Sequence, residues 1–515
     1  MSNTLYPIGI QNFEKLRKSG YLYVDKTELI YRLVKRGSYY FLSRPRRFGK
    51  SLLISTLEAY FQGKRELFQG LAMEELEKEW VQHPIFHLDL NIEKYDSMES
   101  LGNILNDNLT RWENVYGRET SEVSFPLRFA GVIRRAHEQT GQRVVILVDE
   151  YDKPMLQAIN NEELQQEFRN TLKPFYGVLK TMDGDIKFAL LTGVTKFGKV
   201  SVFSDLNNLN DISMDNRYVA LCGMTGEEIH RYFEADLREL ASAQKMTYQE
   251  TCDRLKESYD GYHFVENSEG IYNPFSVLNT FDKMKFGSYW FETGTPTYLV
   301  DLLKRNHYNL EQMAREETNS DVLNSIYADE SPIPVIYQSG YLTIKDYDSR
   351  FENYTLGFPN REVEEGFIKF LMPFYTRVNK VESPFEIQQF TQEIESGKPD
   401  AFLRRLQSFF ADTPYELIRE LEIHYQNVLF IVFRLVGFYV KVEYHTSEGR
   451  VDLVLQTDRY IYVIEFKLEG TAEEALRQIE EKHYARPFEA DPRQLFKIGI
   501  NFDNKTRNIE KWIVE

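Results

Sequence analysis

The 515-residue sequence predicts an α/β protein with three parts: a unit built on a parallel sheet, a helical middle region, and a smaller α/β unit at the C-terminus. Short apolar runs alternate with segments of helical spacing in the N-terminal part, which is the pattern of a parallel sheet covered by helices on both faces. A Gly-Lys-Ser run at 49–51 lies where the first of these strands meets a helix. Near the C-terminus, two neighbouring predicted strands carry Asp452 and Glu465.

The predicted elements indicate where the three parts begin and end. From Thr225 the pattern becomes helical and then irregular, and Gly and Pro cluster just before Asn360. Five buried runs predict the strands of the N-terminal sheet: Tyr39–Ser43, Ile85–Leu90, Val144–Val148, Phe188–Thr192 and Tyr218–Leu221. We expect a sheet unit at 1–222, a helical lid and connecting region at 223–360, a helical linker region at 361–414 and the C-terminal unit at 415–515.

The composition indicates packed interiors in a reducing compartment. Apolar residues make up 42% of the chain, and only two cysteines, Cys222 and Cys252, are present, so no disulfide framework is expected. Residues 1–10 lack the basic and apolar regions of a secretion signal. The most apolar stretch, Val428–Val440, has 13 residues and contains Arg434, whereas a membrane span needs roughly 20 apolar residues. We therefore expect a cytoplasmic protein without a membrane segment.

Residues 44–51 have the features of a phosphate-binding loop. Gly49 lets backbone N–H groups turn towards phosphate oxygens, Lys50 can reach the terminal phosphates of ATP, and the Ser51 hydroxyl can hold Mg²⁺. The helix that follows adds the positive end of its dipole. The alternative is a basic, solvated loop between a strand and a helix.

The loop departs from the common pattern at its first position, where Arg44 replaces a glycine. Pro45 follows and pushes Arg44 into an extended conformation, so the positive φ that glycine adopts easily is not required there. Arg46, Arg47 and Phe48 complete the loop, and the two arginines add charge beside the triphosphate. We expect all three to contact the nucleotide.

A second feature of an ATP site is a buried strand that ends in two carboxylates. The run Val144–Val148 is followed by Asp149 and Glu150, at the edge where ligands bind in open α/β sheets. Asp149 would hold Mg²⁺ through water, and Glu150 would orient and deprotonate the attacking water. Thr192, or in its place Thr195, ends a further buried strand and could sense the terminal phosphate. The alternatives are an acidic turn and an ordinary strand cap.

Roughly the first 280 residues resemble the predicted AAA-ATPases of bacteria. That resemblance includes the arginine at position 44, and it implies an ASCE-type P-loop sheet in which one strand separates the Walker A and Walker B strands. The matching pieces are Tyr23–Thr27, Arg44–Ser51, Val148–Pro154, Leu191–Thr195, Phe203–Leu209, Tyr259–Phe264 and Tyr272–Phe275.

The C-terminal strands bring acidic residues and a lysine together. Glu465 and Lys467 are two apart and project from one face of a strand, while Asp452 can lie on the neighbouring strand. Two carboxylates at about 4 Å repel each other by roughly 4 kcal/mol at an effective dielectric of about 20, unless a cation lies between them. Mg²⁺ bound there could activate water against a phosphodiester, with Lys467 positioning the water or countering the developing charge. The alternative is a surface Glu–Lys pair.

This arrangement resembles the PD-(D/E)XK nuclease fold, α-β-β-β-α-β, over about Tyr415 to Asn501. The resemblance implies an accessory ligand on the first helix, for which Glu422 and His424 are candidates. Gln478, with Tyr484, is similar to the Gln and Tyr element of RecB-like nucleases, although the spacing is wider here.

The leading hypothesis is an ATP-driven, Mg²⁺-dependent nuclease in defence or mobile-element biology, with DNA favoured over RNA. The rival hypothesis is a nucleotide-dependent regulatory protein whose nuclease-like domain binds without cutting. The net charge of −17 opposes nucleic acid, so binding would need a local basic surface, a metal ion or a channel formed by a homo-oligomer. Arg47 and Arg217 are candidates for an arginine finger.

Overall fold

The computed structural model describes residues 4–196, 206, 208–291, 298–323, 331–376, 383–411, 421–447, 450–467, 470–503 and 508–515. Contacts divide the chain into two units. The first unit comprises Met1–Gly294 with Arg315–Glu362, and the second comprises Thr295–Ala314 with Val363–Glu515. The finer boundaries expected from the sequence, at residues 222, 360 and 414, stay predictions.

Helices and strands alternate through the N-terminal part of the first unit, as the sequence predicts. These elements are α1 (Phe13–Lys18), α2 (Thr27–Arg36), β1 (Tyr39–Ser43), α3 (Lys50–Phe61), α4 (Ala72–Leu76), β2 (Ile85–Asp89), α5 (Met98–Tyr116), α6 (Phe125–Thr140), β3 (Val144–Asp149), α7 (Lys153–Gln157), α8 (Glu162–Thr181), β4 (Ile186–Gly193) and β5 (Asn210–Asp211).

The sheet of the first unit has the strand order β2-β3-β4-β1-β5, and its neighbouring strands pair in parallel. Strand β4 therefore separates β1, which precedes the phosphate-binding loop, from β3, which ends in Asp149. This order confirms the ASCE-type expectation. Strands β1 and β3 are buried at every residue, which is why their sequences are continuous apolar runs rather than alternating ones.

One predicted strand is wrong. Residues 218–221 belong to a 3₁₀ helix, Asn216–Leu221, and the fifth strand of the sheet is β5, which pairs with β1. Asp215 caps this 3₁₀ helix by accepting a hydrogen bond from the backbone N–H of Arg217. Tyr218, Val219 and Leu221 are buried. A short apolar run of this kind does not distinguish a buried strand from a buried turn.

Aromatic packing fixes the helices on one side of the sheet. Phe129 of α6 stacks on Phe175 of α8 with ring centroids 4.5 Å apart, and Phe86 of β2 stacks on Trp112 of α5 at 4.7 Å. These rings lie in one core with the apolar residues of β2, β3 and β4. Such large buried side chains contribute strongly to the stability of the unit.

The remainder of the first unit is helical and then forms a small sheet. Helix α9 begins with a capping box made by Thr225 and Glu228, which confirms the helix start expected at Thr225. The elements are α9 (Gly226–Gln244), α10 (Tyr248–Tyr259), α11 (Pro274–Lys283), β6 (Glu316–Asn319), α13 (Ser320–Leu323), α14 (Ile333–Gln338), β7 (Thr343–Asp348) and β8 (Asn353–Gly357), with α12 (Tyr298–Arg305) assigned to the second unit. Strands β6, β8 and β7 form an antiparallel sheet in that order.

The second unit contains a mixed sheet with the order β13-β12-β11-β10-β9, in which only β11 and β12 pair in parallel. The order from α18 to β12 is α-β-β-β-α-β, which confirms the predicted C-terminal α/β fold. Besides α12, the elements are α15 (Arg361–Tyr375, of which the first two residues belong to the first unit), α16 (Ser383–Glu395), α17 (Pro399–Ala411), α18 (Leu421–Val436), β9 (Lys441–Ser447), β10 (Arg450–Gln456), β11 (Tyr460–Lys467), α19 (Ala472–Glu481), β12 (Gln494–Asp503) and β13 (Asn508–Val514).

The apolar stretch from Val428 is the buried second half of α18, and Lys441 begins β9. Across the described ranges, no helix combines the length and the apolar character needed to cross a bilayer.

Candidate functional site

The phosphate-binding loop joins the end of β1 to the first residue of α3. Gly49 immediately precedes the helix with φ 96°, and Arg47 has φ 64°, so two loop residues lie in the left-handed region. Glycine adopts that conformation without a steric penalty, whereas Arg47 adopts it at a cost of roughly 1–3 kcal/mol. Arg44 has no positive φ, as the following proline predicts. The backbone is therefore curled ahead of the helix N-terminus, as phosphate binding requires.

Lys50 lies inside this curl. Its ammonium donates to the carbonyl oxygens of Arg44 (3.1 Å) and Pro45 (3.3 Å) and lies 3.4 Å from Glu150 Oε1. The residue is only 4% exposed, so the alternative of a fully solvated loop is wrong for this lysine. The contacts bring the loop and the end of β3 together, as the paired motifs predict.

The end of β3 is held by the neighbouring strand. The hydroxyl of Thr192 on β4 donates to Asp149 Oδ1 over 2.6 Å, and both residues are buried. Glu150 follows with φ 54° and is partly exposed. In this geometry Thr192 orients Asp149, whereas its predicted contact with a terminal phosphate stays a prediction. The Glu150 carboxylate lies 3.4 Å from Lys50 Nζ.

A buried carboxylate that the sequence did not single out, Asp152, organises the end of β4. It accepts hydrogen bonds from the backbone N–H of Val194 (3.1 Å), and from the backbone N–H (2.6 Å) and hydroxyl (2.5 Å) of Thr195. A Cβ on Gly193 would meet Asp152 Oδ1 at 2.5 Å, so only glycine permits this approach. Burial, together with the charge of Glu150, raises the pKa of Asp152 to about 6. The Thr195 hydroxyl thus donates its hydrogen bond to Asp152.

Arg44 is a buried structural residue. Its guanidinium donates to the carbonyl oxygens of Ser43 (2.9 Å), Ser213 (2.8 Å) and Tyr218 (3.3 Å) and lies 4.0 Å from the ring centroid of Phe264. Burial lowers its pKa to about 10. Arg44 therefore links the start of the loop to residues 213–218, which precede the helical region.

The rest of the loop also packs on the helical region. The ring of Phe48 meets Tyr262 at 4.8 Å, the guanidinium of Arg47 lies 5.0 Å from the ring centroid of Phe275, and Trp290 Nε1–H donates to the Arg46 carbonyl over 2.9 Å. The side chain of Phe48 is buried in this aromatic packing, so only its backbone is left to contact a nucleotide. Arg46 and Arg47 are exposed.

A further carboxylate, Asp89, lies beside the site. It ends β2 directly opposite Asp149 in the parallel register. Burial, with a contribution from the charges of Asp149 and Glu150, raises its pKa. Three acidic groups therefore meet at the carboxyl edge of the sheet, which makes this edge attractive to cations. Arg217, one of the arginine-finger candidates, makes two hydrogen bonds of 2.9 and 3.0 Å to Asp215, and its finger role stays a prediction.

In the second unit, the sheet brings three of the predicted residues together. Glu465 is fully buried, and its Oε1 lies 3.5 Å from Lys467 Nζ. Lys467 also donates to Gln478 Oε1 of α19. The antiparallel register places Asp452 opposite Glu465 on β10, although the Asp452 side chain lies outside the described part. The alternative of an exposed surface pair is wrong for Glu465.

Helix α19 reaches Lys467 because a glycine allows it to approach the sheet. Gly499 lies opposite Glu465 on β12, and a Cβ there would meet the Ala472 carbonyl oxygen at 2.3 Å. Nothing in the local sequence marks this glycine as a packing site. The result is that Gln478, predicted from a loose spacing, does contact the lysine.

The chemistry of both sites fits the groups that the sequence implies. A curled loop with Lys50, and the hydroxyl and carboxylate oxygens of Ser51 and Asp149, suit a magnesium-bound triphosphate. Carboxylates at 452 and 465 suit a divalent cation. Among the side chains that the structure describes, no group of three metal-binding residues occurs, and the candidates Asp452, Glu422 and His424 lie outside that set.

Sequence comparison finds one matching family model in each of the two units. The family model described as Predicted AAA-ATPase matches residues 7–203, and that of the PD-(D/E)XK nuclease superfamily matches residues 420–512. The "Uncharacterized protein in vnfD 5'region" of Azotobacter chroococcum mcd 1 is 36% identical over 534 residues, covering 100% of this chain and 99% of that protein. The Aeropyrum pernix ORC2 protein, solved in ADPNP-ADP complexes, has 9% identity and a TM-score of 0.22, covering 70% of this chain and 91% of its own. Both sequence resemblances are confirmed.

Replacing Arg44 with the glycine of the common pattern should destabilise the first unit. The change leaves the buried carbonyl oxygens of Ser213 and Tyr218 without their donor, which should lower the free energy of unfolding by roughly 2–4 kcal/mol. Denaturant unfolding of Arg44→Gly and wild type measures this, with the exposed Arg217→Ala as the control. Equal stability of Arg44→Gly and wild type would rule out the structural role.

Because the pKa of Asp152 is raised, its contribution to the free energy of unfolding should decrease as pH rises. A carboxylate whose pKa is lowered has the opposite effect. The folded pKa of about 6 exceeds the ordinary value of 3.8, so the contribution of Asp152 to the unfolding free energy falls as pH rises from about 4 to about 6. The fall should be roughly 3 kcal/mol, at about 1.4 kcal/mol per pKa unit.

The Asp152→Asn variant lacks this titration. The unfolding free energy of wild type minus that of the variant should therefore shrink across the same pH window, as measured by denaturant titration at several pH values. Thr195→Ser keeps the hydroxyl donor and should behave like wild type. A difference that stays constant with pH would contradict the assignment.

Proposed function

This chain belongs to the predicted AAA-ATPase family and ends in a domain of the PD-(D/E)XK nuclease superfamily, and from that premise we propose that it is an ATP-driven, Mg²⁺-dependent nuclease. The observation that carries the proposal is the occurrence, in one chain, of two assembled polar sites. One joins Lys50 to Glu150, and the other joins Glu465, Lys467 and Gln478.

In the first unit, Lys50 is the residue that would exchange partners when ATP binds. Its present acceptors are two neutral carbonyl oxygens and Glu150. Phosphate oxygens carry more negative charge than the carbonyls, so the ammonium would turn to them. Glu150 would then lose its cation and become available to accept a proton from water.

Asp149 would act through orientation. Its Oδ1 accepts from Thr192 and from the backbone N–H of Glu150 over 3.1 Å, which leaves Oδ2 for the water shell of a magnesium ion held with Ser51. The ion would neutralise charge on the terminal phosphates. Because the hydroxyl of Thr192 holds Asp149 in advance, little reorganisation would be needed during hydrolysis.

In the second unit, Lys467 lies between Glu465 and Gln478. A divalent cation held by Asp452 and Glu465 would supply an activated water. Lys467, fixed by the amide oxygen of Gln478, would counter the charge that develops on the phosphodiester. Burial of Glu465 excludes water from one side and strengthens each of these electrostatic interactions.

The substrate we propose is nucleic acid, and DNA rather than RNA, cut in the cytoplasm in a defence or mobile-element setting. The formal charge of −17 means that substrate would be bound through the metal site or through a basic surface made by a homo-oligomer. The same charge also favours the second candidate, a nucleotide-dependent regulatory protein whose C-terminal domain binds without cleaving.

Lys50→Ala should lose tight binding of MgATP, because the change removes the buried ammonium that lies inside the curl of the loop. We expect at least about a hundredfold weaker affinity, which corresponds to roughly 3 kcal/mol. Isothermal titration of the full chain measures this, with thermal unfolding as the check on folding. Unchanged affinity would exclude the loop as the ATP site.

The Glu150→Gln variant tests whether Glu150 activates the attacking water. The amide keeps the size of the side chain and loses the base, so ATP should bind while phosphate release slows by roughly a hundredfold or more. If wild type hydrolyses ATP and this variant does so at the same rate, Glu150 does not activate the water.

Variants of Asp452, Glu465 and Lys467 should lose cleavage for two different reasons. Asp452→Ala and Glu465→Gln should weaken binding of Mn²⁺ and reduce cleavage roughly a hundredfold or more, because each change removes a metal ligand. Lys467→Ala should stop cleavage and leave Mn²⁺ bound, because it removes only the cation. Titration with Mn²⁺ and cleavage of linear, circular and single-stranded DNA and RNA distinguish the two patterns.

The exposed pair Lys511–Glu473 in the same unit supplies the control. Lys511→Ala should change neither metal binding nor cleavage, since an exposed ion pair contributes only about 0–1 kcal/mol. Wild-type protein that binds Mn²⁺ and nucleic acid but never cleaves would support the regulatory candidate. Wild type without a divalent-metal site in the second unit would end the nuclease proposal.

A further inference from the structure

Lys153 lies just after the end of β3. It belongs neither to the phosphate-binding loop nor to the Asp149–Glu150 pair. It is the first residue of α7, three residues after Glu150. The residue before it, Asp152, is fully buried and bonded to the backbone of the 193–195 segment. The backbone that presents Lys153 is therefore anchored on both strands that end at the site.

The ammonium of Lys153 binds neutral groups. It donates to the main-chain oxygen of Asn91 over 2.7 Å and to its side-chain oxygen over 2.6 Å. Asn91 is itself placed by β2, because its backbone N–H donates to Asp89 Oδ1 over 2.8 Å. The lysine thus connects the ends of β2 and β3 at the carboxyl edge of the sheet.

Two neutral acceptors leave both charge and bonding capacity on this lysine. An ammonium has three N–H donors, and Asn91 uses two of them. Within the described part of the chain, no carboxylate forms an ion pair with Lys153. By contrast, the buried Lys26 is neutralised by Glu228 at 2.5 Å. A lysine with a spare donor and no direct ion pair can bind a phosphate oxygen through a strong, charge-assisted hydrogen bond.

Charged residues of both motifs influence the pKa of Lys153. Partial burial lowers the pKa of Lys153, the carboxylates of Glu150 and Asp89 act in the opposite direction, and the guanidinium of Arg46 lowers it further. Charges from the end of β3 and from the phosphate-binding loop therefore both act on Lys153. Lys50, by contrast, lies 3.4 Å from the Glu150 carboxylate.

We propose that Lys153 is a second phosphate-binding cation of the ATP site, which donates its spare N–H to the terminal phosphate of bound ATP. This inference rests on the proposed ATPase function. It makes the site selective for a triphosphate over a diphosphate, because ADP lacks the group that Lys153 reaches. It also supplies, from within the same chain, a positive charge that stabilises the transition state of phosphoryl transfer.

The test compares binding of magnesium adenylyl imidodiphosphate and MgADP to the full-length chain by isothermal titration. Lys153→Met should weaken binding of the triphosphate analogue by about tenfold or more, the loss expected for one charged hydrogen bond. Its affinity for MgADP should change less than about twofold, and ATP hydrolysis should slow. Lys153→Arg keeps the charge and should recover most of the preference.

Two further variants separate phosphate binding from a structural tie. Asn91→Ala breaks the side-chain contact to Lys153 but keeps the cation, so the preference for the triphosphate should persist. Lys187→Met removes another partly buried lysine, near the start of β4 at the opposite edge of the sheet, and should leave both affinities unchanged. Thermal unfolding of each variant confirms that it folds.

Two results would overturn the inference while leaving the proposed function intact. One is Lys153→Met with the affinities of wild type for both nucleotides. The other is an equal loss of both affinities that Asn91→Ala reproduces, which would mean that the lysine only holds the loop after β2. A wild-type chain that binds neither nucleotide would instead remove the proposed function, and the inference with it.

Discussion

Strands β1, β3 and β4 of the first sheet are buried along almost their whole length, so a charged side chain on them can stand only where the strand ends. Because the strands are parallel, those ends meet at one edge of the sheet. This constraint brings the phosphate-binding loop, Asp149 and Thr192 together although they are far apart in sequence. The other residues of the proposed ATP site are arranged around that edge.

A charge placed at such an edge must be satisfied, since burying an unpaired charge costs several kcal/mol. The guanidinium of Arg44 donates to three carbonyl oxygens and lies against an aromatic ring. Asp152 is satisfied by the backbone after β4, and Lys50 by loop carbonyls and Glu150. These bonds hold the loop and the strand ends in place before any ligand arrives. Lys153, whose hydrogen bonds within the described residues go to the neutral oxygens of Asn91, differs from all of them.

The second unit follows the same rule on a mixed sheet. Glu465 is fully buried at the end of β11, and the nearby cation is Lys467, itself held by Gln478. The arrangement depends on Gly499, which lets α19 approach β12 closely enough for Gln478 to reach the lysine. The contact between Lys467 and Gln478 thus depends on a glycine in the neighbouring strand β12.

The sequence by itself determined the fold class, most strand and helix positions, and the residues at strand ends, because continuous apolar runs, capping residues and a Gly-Lys-Ser turn are local patterns. It failed at Tyr218–Leu221, where burial alone produced an apolar run without a strand. Only the tertiary structure decided that Arg44 is a buried anchor, that Asp152 holds the end of β4, and that Lys153 bonds to Asn91. Each of these depends on a contact between segments distant in the chain, and such contacts exist only once the sheet has brought the strand ends to one edge.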